Sequence, residues 1–457
     1  MNEKRSSFSS RIGFVLAAAG SAVGLGNIWR FPYLAAKYGG GIFLFVYLIL
    51  VLTFGFTLMI TEISIGRRTR LSCVEAFGKL NGRFRFLGPL TSAIPILIVP
   101  YYCVIGGWVV KYMAEFFMGN GAALAGDAYF GNFISVAAGG FLNNPMPWFV
   151  GYVLLNAVIL LMGVNKGIES MSKFMMPLLV ILAVVISIYS LTLPGAMEGL
   201  KFYLLPDFSK LSISTILGAM GQMFYSMSLA MGIMITYGSY MKDDDNLESS
   251  VTQIQIFDTG IAMLAGLMII PSVVAFNGGN ADGISAGPGL MFGVLPKVFE
   301  TMGGGNFLGA AFFVLVFFAA LTSSISLLET FVSIVQDRFH TTRNATIIGA
   351  TVFTVLVGTL SCLGYGPLSG VTVLGMAFLD FFDFFTNSIL MPITALLTCV
   401  LIGYVVGPQF VAEEVTKAGH TFSREKLYNV MIRYVAPVLL AVILIGEIAK
   451  YFGFITI

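Results

Sequence analysis

The chain runs to 457 residues, of which 57% are hydrophobic and only 11% charged, against roughly a quarter charged in an average soluble domain. Roughly 260 apolar residues cannot be hidden inside a soluble globule, and at about 20 residues per helical crossing they cap the number of spans near about thirteen. Soluble enzymes and nucleic-acid-binding proteins are thereby excluded, and a net charge of +2 offers no hold for a polyanion. Cys73, Cys103, Cys362 and Cys399 lack paired spacing, so neither a disulfide framework nor a zinc site is indicated. His340 and His420 lie far apart in polar stretches, which argues against a histidine-ligated metal. The chain reads as an all-α polytopic membrane protein.

In chain order, Lys4, Arg5 and Arg11 lead into Ile12–Gly20, which has the charge and apolar run of a secretory leader. The run continues to Phe31 without a clear cleavage site and another long span follows, so no cleavage is expected. Apolar runs of spanning length fall at 12–37, 41–66, 88–117, 147–163, 171–193, 213–240, 251–276, 307–336, 345–362, 370–404 and 429–453, which predicts eleven helices. Runs this long without period-2 alternation speak against a β-barrel. With the N-terminus inside, the N-terminal tail and the even-numbered connections carry most of the 25 Lys and Arg, while 118–146 carries none. This bias predicts a cytoplasmic N-terminus and, after eleven spans, a C-terminus outside. The segments 118–146 and 277–306 then lie outside, as glycine-rich loops with short helices. The sequon Asn344-Ala345-Thr346 falls in an expected cytoplasmic loop and reads as chance.

Spans 1 and 6 are both interrupted near their centres, at Gly20–Asn27 and at Ser226–Gly232. Matching elements five spans apart must be inserted upside down relative to one another, and paired broken helices point to an inverted-repeat transporter and its binding site. A helix broken in mid-membrane frees backbone groups that lipid cannot satisfy. Freed carbonyls favour a small cation, and half-helix N-termini favour a carboxylate. Gly20-xxx-Gly24 taken alone reads as close helix packing; Asn27, Arg30 and the second break tilt the balance towards a site. Ionisable groups at a helix centre cost on the order of 2.5–3.5 kcal/mol on insertion scales, which singles out Glu62, Asp258, Glu329, Asp380, Asp383 and Glu447. Arg30 could face Asp380 or Asp383, either as a structural ion pair or as a gate. Asp258 lies too deep to be a cap, and Glu447 reads as structural.

At these residues the sequence closely resembles the neurotransmitter:sodium symporter family, most nearly its bacterial amino-acid transporters. The resemblance covers essentially the whole chain. It rests on Ala17–Pro32, with Ala22-Val23-Gly24-Leu25-Gly26-Asn27-Ile28-Trp29-Arg30-Phe31-Pro32, on Lys37–Gly41, Tyr101-Tyr102, Gln222–Gly232 with Ile235-Thr236-Tyr237, Gly287–Leu290, and Ala319–Ser324. It implies two inverted five-helix repeats, over 12–193 and 213–404, with a peripheral eleventh helix at 429–453, within one transporter domain spanning 1–457. It implies a first sodium site from Ala22, Asn27, Ser226 and Asp258, and a second from Gly20, Val23, Ala319, Thr322 and Ser323. The implied substrate pocket is lined by Ser21, Ala22, Leu25, Gly26, Ile98, Tyr102, Tyr225, Ser226, Ser228, Met231, Ser323 and Leu327, with Tyr102 on the substrate carboxylate. Arg30 with Asp383 resembles the outer gate, and Arg5 with Asp337, near Tyr240, the inner one. Gly167 and Pro177 match a family feature of span 5 associated with local unwinding. Phe8 stands where a tryptophan is usual, Ala230 where many relatives keep glycine, and Tyr225 where many keep phenylalanine.

The expected function is a sodium-coupled symporter that imports neutral, hydrophobic L-amino acids by alternating access, with two sodium ions. No enzyme activity is expected: no nucleophile–base pair or metal-ligand cluster is visible. Monoamine carriers of the family place an aspartate at the position of Gly24, and chloride-dependent members keep a neutral side chain at that of Asp258. The resemblance therefore implies an amino-acid substrate and chloride independence. The setting is the plasma (inner) membrane, with substrate and lipid as partners, and neither nucleic acid nor an obligate protein partner.

Overall fold

A computed structural model describes residues 7–137, 139–278 and 287–451, with side chains placed as far as Ala449 within the last helix. Among the described residues, eight helices are long and apolar enough to cross a membrane. They are span 2 (Gly41–Thr69), span 3 (Gly82–Phe117), span 5 (Val164–Leu191), span 7 (Leu247–Phe276), span 8 (Gly305–Phe339), span 9 (Arg343–Leu363), span 10 (Phe378–Val406) and span 11 (Glu425–Ala449). Span 1 is the bent pair Arg11–Ala22 and Gly26–Lys37, angled at 54°. Span 4 is Pro145–Leu161, and span 6 is Ile213–Ser226 with Ile233–Tyr240. All eleven expected spans are present among the described residues, and the only β structure there is two isolated bridges.

Both breaks fall where the sequence turns small. Span 1 starts on Ser10, whose hydroxyl accepts the Gly13 N–H at 3.1 Å as an N-cap, and stops when Val23 turns extended (φ −71°, ψ 100°). Span 6 stops at Ser226, and Ser228, Ala230 and Gly232 then take φ of 53°, 59° and 72°. A left-handed residue other than glycine costs roughly 1–2 kcal/mol, so Ser228 and Ala230 need outside support. Ser228 Oγ donates to the Ser21 carbonyl at 2.9 Å, and the Ala230 N–H donates to Glu62 Oε1 at 2.6 Å. The buried Glu62 thus holds span 6 open from span 2. The inner half of span 6 also lies directly on span 2: a Cβ at Gly66 would sit 1.8 Å from the Ile235 carbonyl oxygen, and one at Gly238 2.4 Å from that of Ile63.

Spans 3 and 8 form the centre, with 78% of the most apolar stretch of each buried. Rings from span 3, span 8 and the connection before span 8 knit together near one end; Tyr112 meets Phe292 at 4.9 Å and Phe313 at 5.3 Å. The helices Gly121–Leu124, Tyr129–Ile134 and Leu290–Thr301 sit in the two long connections as expected.

Two span starts differ most from the sequence reading, and one helix was not expected. Span 5 starts at Val164 rather than 171, because Val164–Glu169 is wound as a wide π turn after Gly163 (φ 86°). Asn165 and Lys166 lower the local hydropathy and conceal that turn. Span 10 starts at Phe378 rather than 370. Residues 370–377 are apolar but turn at Leu374 and Gly375 (φ 54° and 79°) and close a bridge between Val373 and Met376. Between spans 5 and 6, Ala196–Leu204 forms a helix the periodicity did not reveal, packed through Ala196, Gly199 and Tyr203.

Candidate functional site

The two breaks face each other at mid-bundle, and span 7 brings Asp258 to them. Asp258 is fully buried. Its Oδ1 accepts from Asn27 Nδ2 at 2.7 Å and Ser226 Oγ at 2.9 Å. Asn27 Nδ2 also reaches the Asp258 carbonyl at 3.2 Å, and Asn27 Oδ1 accepts the Gly24 N–H at 3.0 Å. Asp258 Oδ2 is buried and outside hydrogen-bond geometry with any donor, the nearby Tyr47 hydroxyl being likewise buried and unpaired. An unpaired buried carboxylate oxygen is unfavourable unless a proton or a cation completes it, so this donor set fits a small hard cation.

A second oxygen-rich group lies between spans 1 and 8. Ser323 Oγ stands 3.3 Å from the Gly20 carbonyl, 3.1 Å from that of Ser21 and 3.2 Å from that of Val23. Thr322 Oγ1 donates to the Phe318 carbonyl at 2.9 Å and lies 3.2 Å from the Ala319 carbonyl. Thr322 also packs on Gly20, where a Cβ would meet its own Cβ at 3.1 Å. All five residues expected here come together.

Between the two groups is a cavity with about 370 Å³ of empty space, part of it open to solvent, lined by all twelve expected pocket residues and by Gly24, Asn27 and Ile233. Ile98, Tyr225, Met231, Ile233 and Leu327 make one side apolar, while the chain break offers backbone groups on the other. Tyr102 Oη accepts the Leu25 N–H at 3.4 Å. A Cβ on Gly24 would stand 3.1 Å from that oxygen and 2.8 Å from Ser323 Oγ. Gln222 braces the same strip by donating to the Gly26 carbonyl at 3.0 Å.

The expected gate residues are placed less uniformly. Arg30 sits with its guanidinium 5.0 Å from the centroid of the Tyr225 ring. Asp383 accepts from Tyr101 Oη at 3.2 Å and Asn387 Nδ2 at 2.7 Å. No ion pair joins Arg30 to Asp383 among the described residues, since each is occupied by a different partner. Asp380 accepts from Tyr365 Oη at 2.9 Å. Arg30 also lines a separate cleft against span 11 that includes Glu447.

At the opposite end Arg5 lies outside the described residues. Asp337 accepts the Ser72 N–H at 2.6 Å. Tyr240 Oη donates to Glu329 Oε1 at 2.8 Å, and Arg343 pairs with Glu329 at 2.7 Å. The sequence reading flagged Glu329 only as a buried charge and missed Arg343, which lies 14 positions away across a turn. Phe8 is buried and packs edge-on against Tyr237 at 5.6 Å and Tyr240 at 6.1 Å, filling the place of the larger ring.

A family model described as the sodium:neurotransmitter symporter family matches residues 5–124 and 134–454. The chain belongs to this family. Among its relatives in the sodium:neurotransmitter symporter family is the uncharacterized sodium-dependent transporter YhdH of Bacillus subtilis, 34% identical over 98% of both chains. The sodium- and chloride-dependent taurine transporter of Bos taurus is 27% identical, over 88% of this chain and 72% of its own. The crystal structure of MhsT in complex with L-phenylalanine superposes with a TM-score of 0.86 at 36% identity, over 97% of this chain and 100% of that one. The protein is accordingly a multi-pass, sodium-dependent symporter of this family and not an enzyme.

Proposed function

We propose that the protein imports neutral, hydrophobic L-amino acids together with two sodium ions, by alternating access and without chloride. The observation that carries this reading is Asp258, buried beside Asn27 and Ser226 with one oxygen left for a cation. The first sodium is held there with the Ala22 carbonyl, and the second by Gly20, Val23, Ala319, Thr322 and Ser323. The substrate carboxylate lies near Tyr102 and the span 1 break. Its side chain lies among Ile98, Tyr225, Met231 and Leu327, where the flexible Met231 adapts to several sizes. The L-phenylalanine bound by MhsT supports a substrate of this size. Asp258 supplies the fixed negative charge that a chloride would otherwise provide. Arg30 with Asp383 closes the outer side and Arg5, Asp337 and Tyr240 the inner. Arg30 and Asp383 would have to leave Tyr225, Tyr101 and Asn387 to meet.

The protein sits in the plasma (inner) membrane, with the N-terminus cytoplasmic and the C-terminus outside. Residues 12–193 and 213–404 form the two inverted repeats, and 429–453 the added helix. The test is uptake of a panel of radiolabelled amino acids into proteoliposomes, with sodium or with an osmotically matched sodium-free buffer. Sodium-dependent uptake of leucine, methionine or an aromatic amino acid is expected. Equal uptake without sodium, or competition by dopamine or serotonin stronger than by every amino acid, overturns the proposal.

A further inference from the structure

The segment just before span 1 is tied down at several points, and the strongest tie is to a residue given no role so far. Glu169 ends the wide turn Val164–Glu169 that opens span 5 and is buried. Its carboxylate takes the Ser9 N–H at 2.7 Å on Oε2, and Ser9 Oγ at 2.5 Å and Ser10 Oγ at 3.2 Å on Oε1. Lys173 balances its charge at 2.7 Å. Ser10 is also the N-cap of span 1, so Glu169 grips the first turn of the half-helix that leads to Gly20, Ala22 and Val23. The grip leaves no slack: a Cβ on Gly13 would stand 1.9 Å from Glu169 Oε1.

The other ties carry one or two bonds each, Arg11 also donating to Ser249 Oγ. The Phe8 N–H donates to the Tyr240 carbonyl at 3.2 Å, Lys242 Nζ to the Ser9 carbonyl at 2.8 Å, and Arg11 Nε to Ser250 Oγ at 3.2 Å. Those ties end on neutral acceptors at separate places, whereas the Glu169 carboxylate is a charged acceptor that takes three donors of the segment at one buried point, which makes it the most concentrated hold. It also stands on the irregular turn after Gly163, whereas the other ties reach span 6 and span 7. Two helical turns further along span 5, Met176 Sδ lies against Gly20, 3.4 Å from where its Cβ would be. Span 5 therefore touches both the start of span 1 and the second oxygen group.

We propose that Glu169 is a positioning residue of the transport cycle, a clasp that must release Ser9 and Ser10 before the inner half of span 1 can swing away from span 5 and open the pocket to the cytoplasm. The inference rests on the alternating-access reading above. The clasp biases a two-state equilibrium towards the inward-closed form, and its loss shifts the population without touching either cargo site.

The test places one reporter cysteine on each side in the full-length protein in proteoliposomes. Ser326→Cys, where the native hydroxyl accepts from Tyr237 at 2.7 Å, reports the inner path. Ile105→Cys, one turn beyond Tyr101 on span 3, reports the outer. Alkylation rates are taken above those of the reporter-free protein, which has four buried cysteines. In sodium without substrate, Glu169→Ala is expected to speed alkylation at 326 by about tenfold and to slow it at 105. Glu169→Asp should fall between the parent and the alanine variant. A rise at both positions, the mark of a loosened fold, overturns the proposal, as does no change at either. The parent tests the transport reading separately: if sodium moves neither of its two rates, that reading fails, while the effect of Glu169→Ala still decides the clasp.

Discussion

At Asp258, fully buried beside the cavity, one carboxylate oxygen is shared by Asn27 and Ser226 and the other makes no hydrogen bond. On the proposed reading, removing its charge leaves the first sodium without a counter-ion. Asp258→Asn should therefore lower sodium-driven uptake at least about tenfold in gluconate, the scale of losing a hydrogen bond to a charged group. Chloride should restore part of that uptake while leaving the wild type unchanged; the check is initial rates in both salts. Gly24 makes a sharper prediction. With 2.8 Å from its would-be Cβ to Ser323 Oγ and 3.1 Å to Tyr102 Oη, the backbone there has no room for a side chain. Gly24→Asp should abolish amino-acid binding by scintillation proximity, because the new side chain must push Ser323 Oγ and Tyr102 Oη out of place at the cavity wall.

The helix Gln409–Val415 after span 10 shows how charge fastens one element to others. Glu414 is buried and pairs with Arg67 at 3.2 Å, Arg68 at 3.1 Å and Lys417 at 2.8 Å, while Arg67 also donates to the Asp245 carbonyl at 2.9 Å. Glu414→Ala removes the carboxylate paired with the buried Arg67, a change worth about 3–5 kcal/mol; hydrogen exchange in 409–415 should accelerate accordingly. Asp243 joins the same cluster through Arg70 at 2.7 Å and Lys417 at 3.5 Å. Burial raises its pKa, but Arg70 and Lys417 outweigh burial and hold it below the usual aspartate value. A lowered folded-state value means its contribution is present above the unfolded pKa of about 3.9 and disappears as pH falls through the folded one. Exchange in this helix should thus be insensitive to this group from pH 8 to 5 once intrinsic rates are removed, and rise only below about pH 4. Apart from Lys417, three residues from Glu414, this fastening was not legible in the sequence, since the other partners are far apart in the chain and Arg67, Arg68 and Arg70 look like ordinary positive-inside residues. The interruptions were legible, because runs of glycine, serine and alanine inside an apolar stretch have few other uses. The early start of span 5 and the helix Ala196–Leu204 were not, one hidden by Asn165 and Lys166 and the other too short for a periodic signal.

For the whole molecule, the cavity and both oxygen groups lie where the broken spans meet spans 3, 7 and 8, and all twelve expected pocket residues reached one place. The outer pair Arg30 and Asp383 did not, since contact between side chains on different spans depends on the conformation as well as on the identities. If two sodium ions accompany a zwitterion, net positive charge enters with each cycle, and each charge is worth roughly 2.3 kcal/mol per 100 mV. An inside-negative potassium diffusion potential should then accelerate uptake into proteoliposomes, and an inside-positive one should slow it.

Span 11 stands apart from this centre: 33% of its most apolar stretch is buried, against 78% for spans 3 and 8. Under mechanical load that difference becomes a sequence of events. A cantilever pulling the C-terminus should extract span 11 first and at low force, as a separate early peak. Spans 9 and 10 should follow, and the highest rupture force should come when span 8 is drawn from between its neighbours. Sodium with a bound amino acid should raise that later peak and leave the first one where it was.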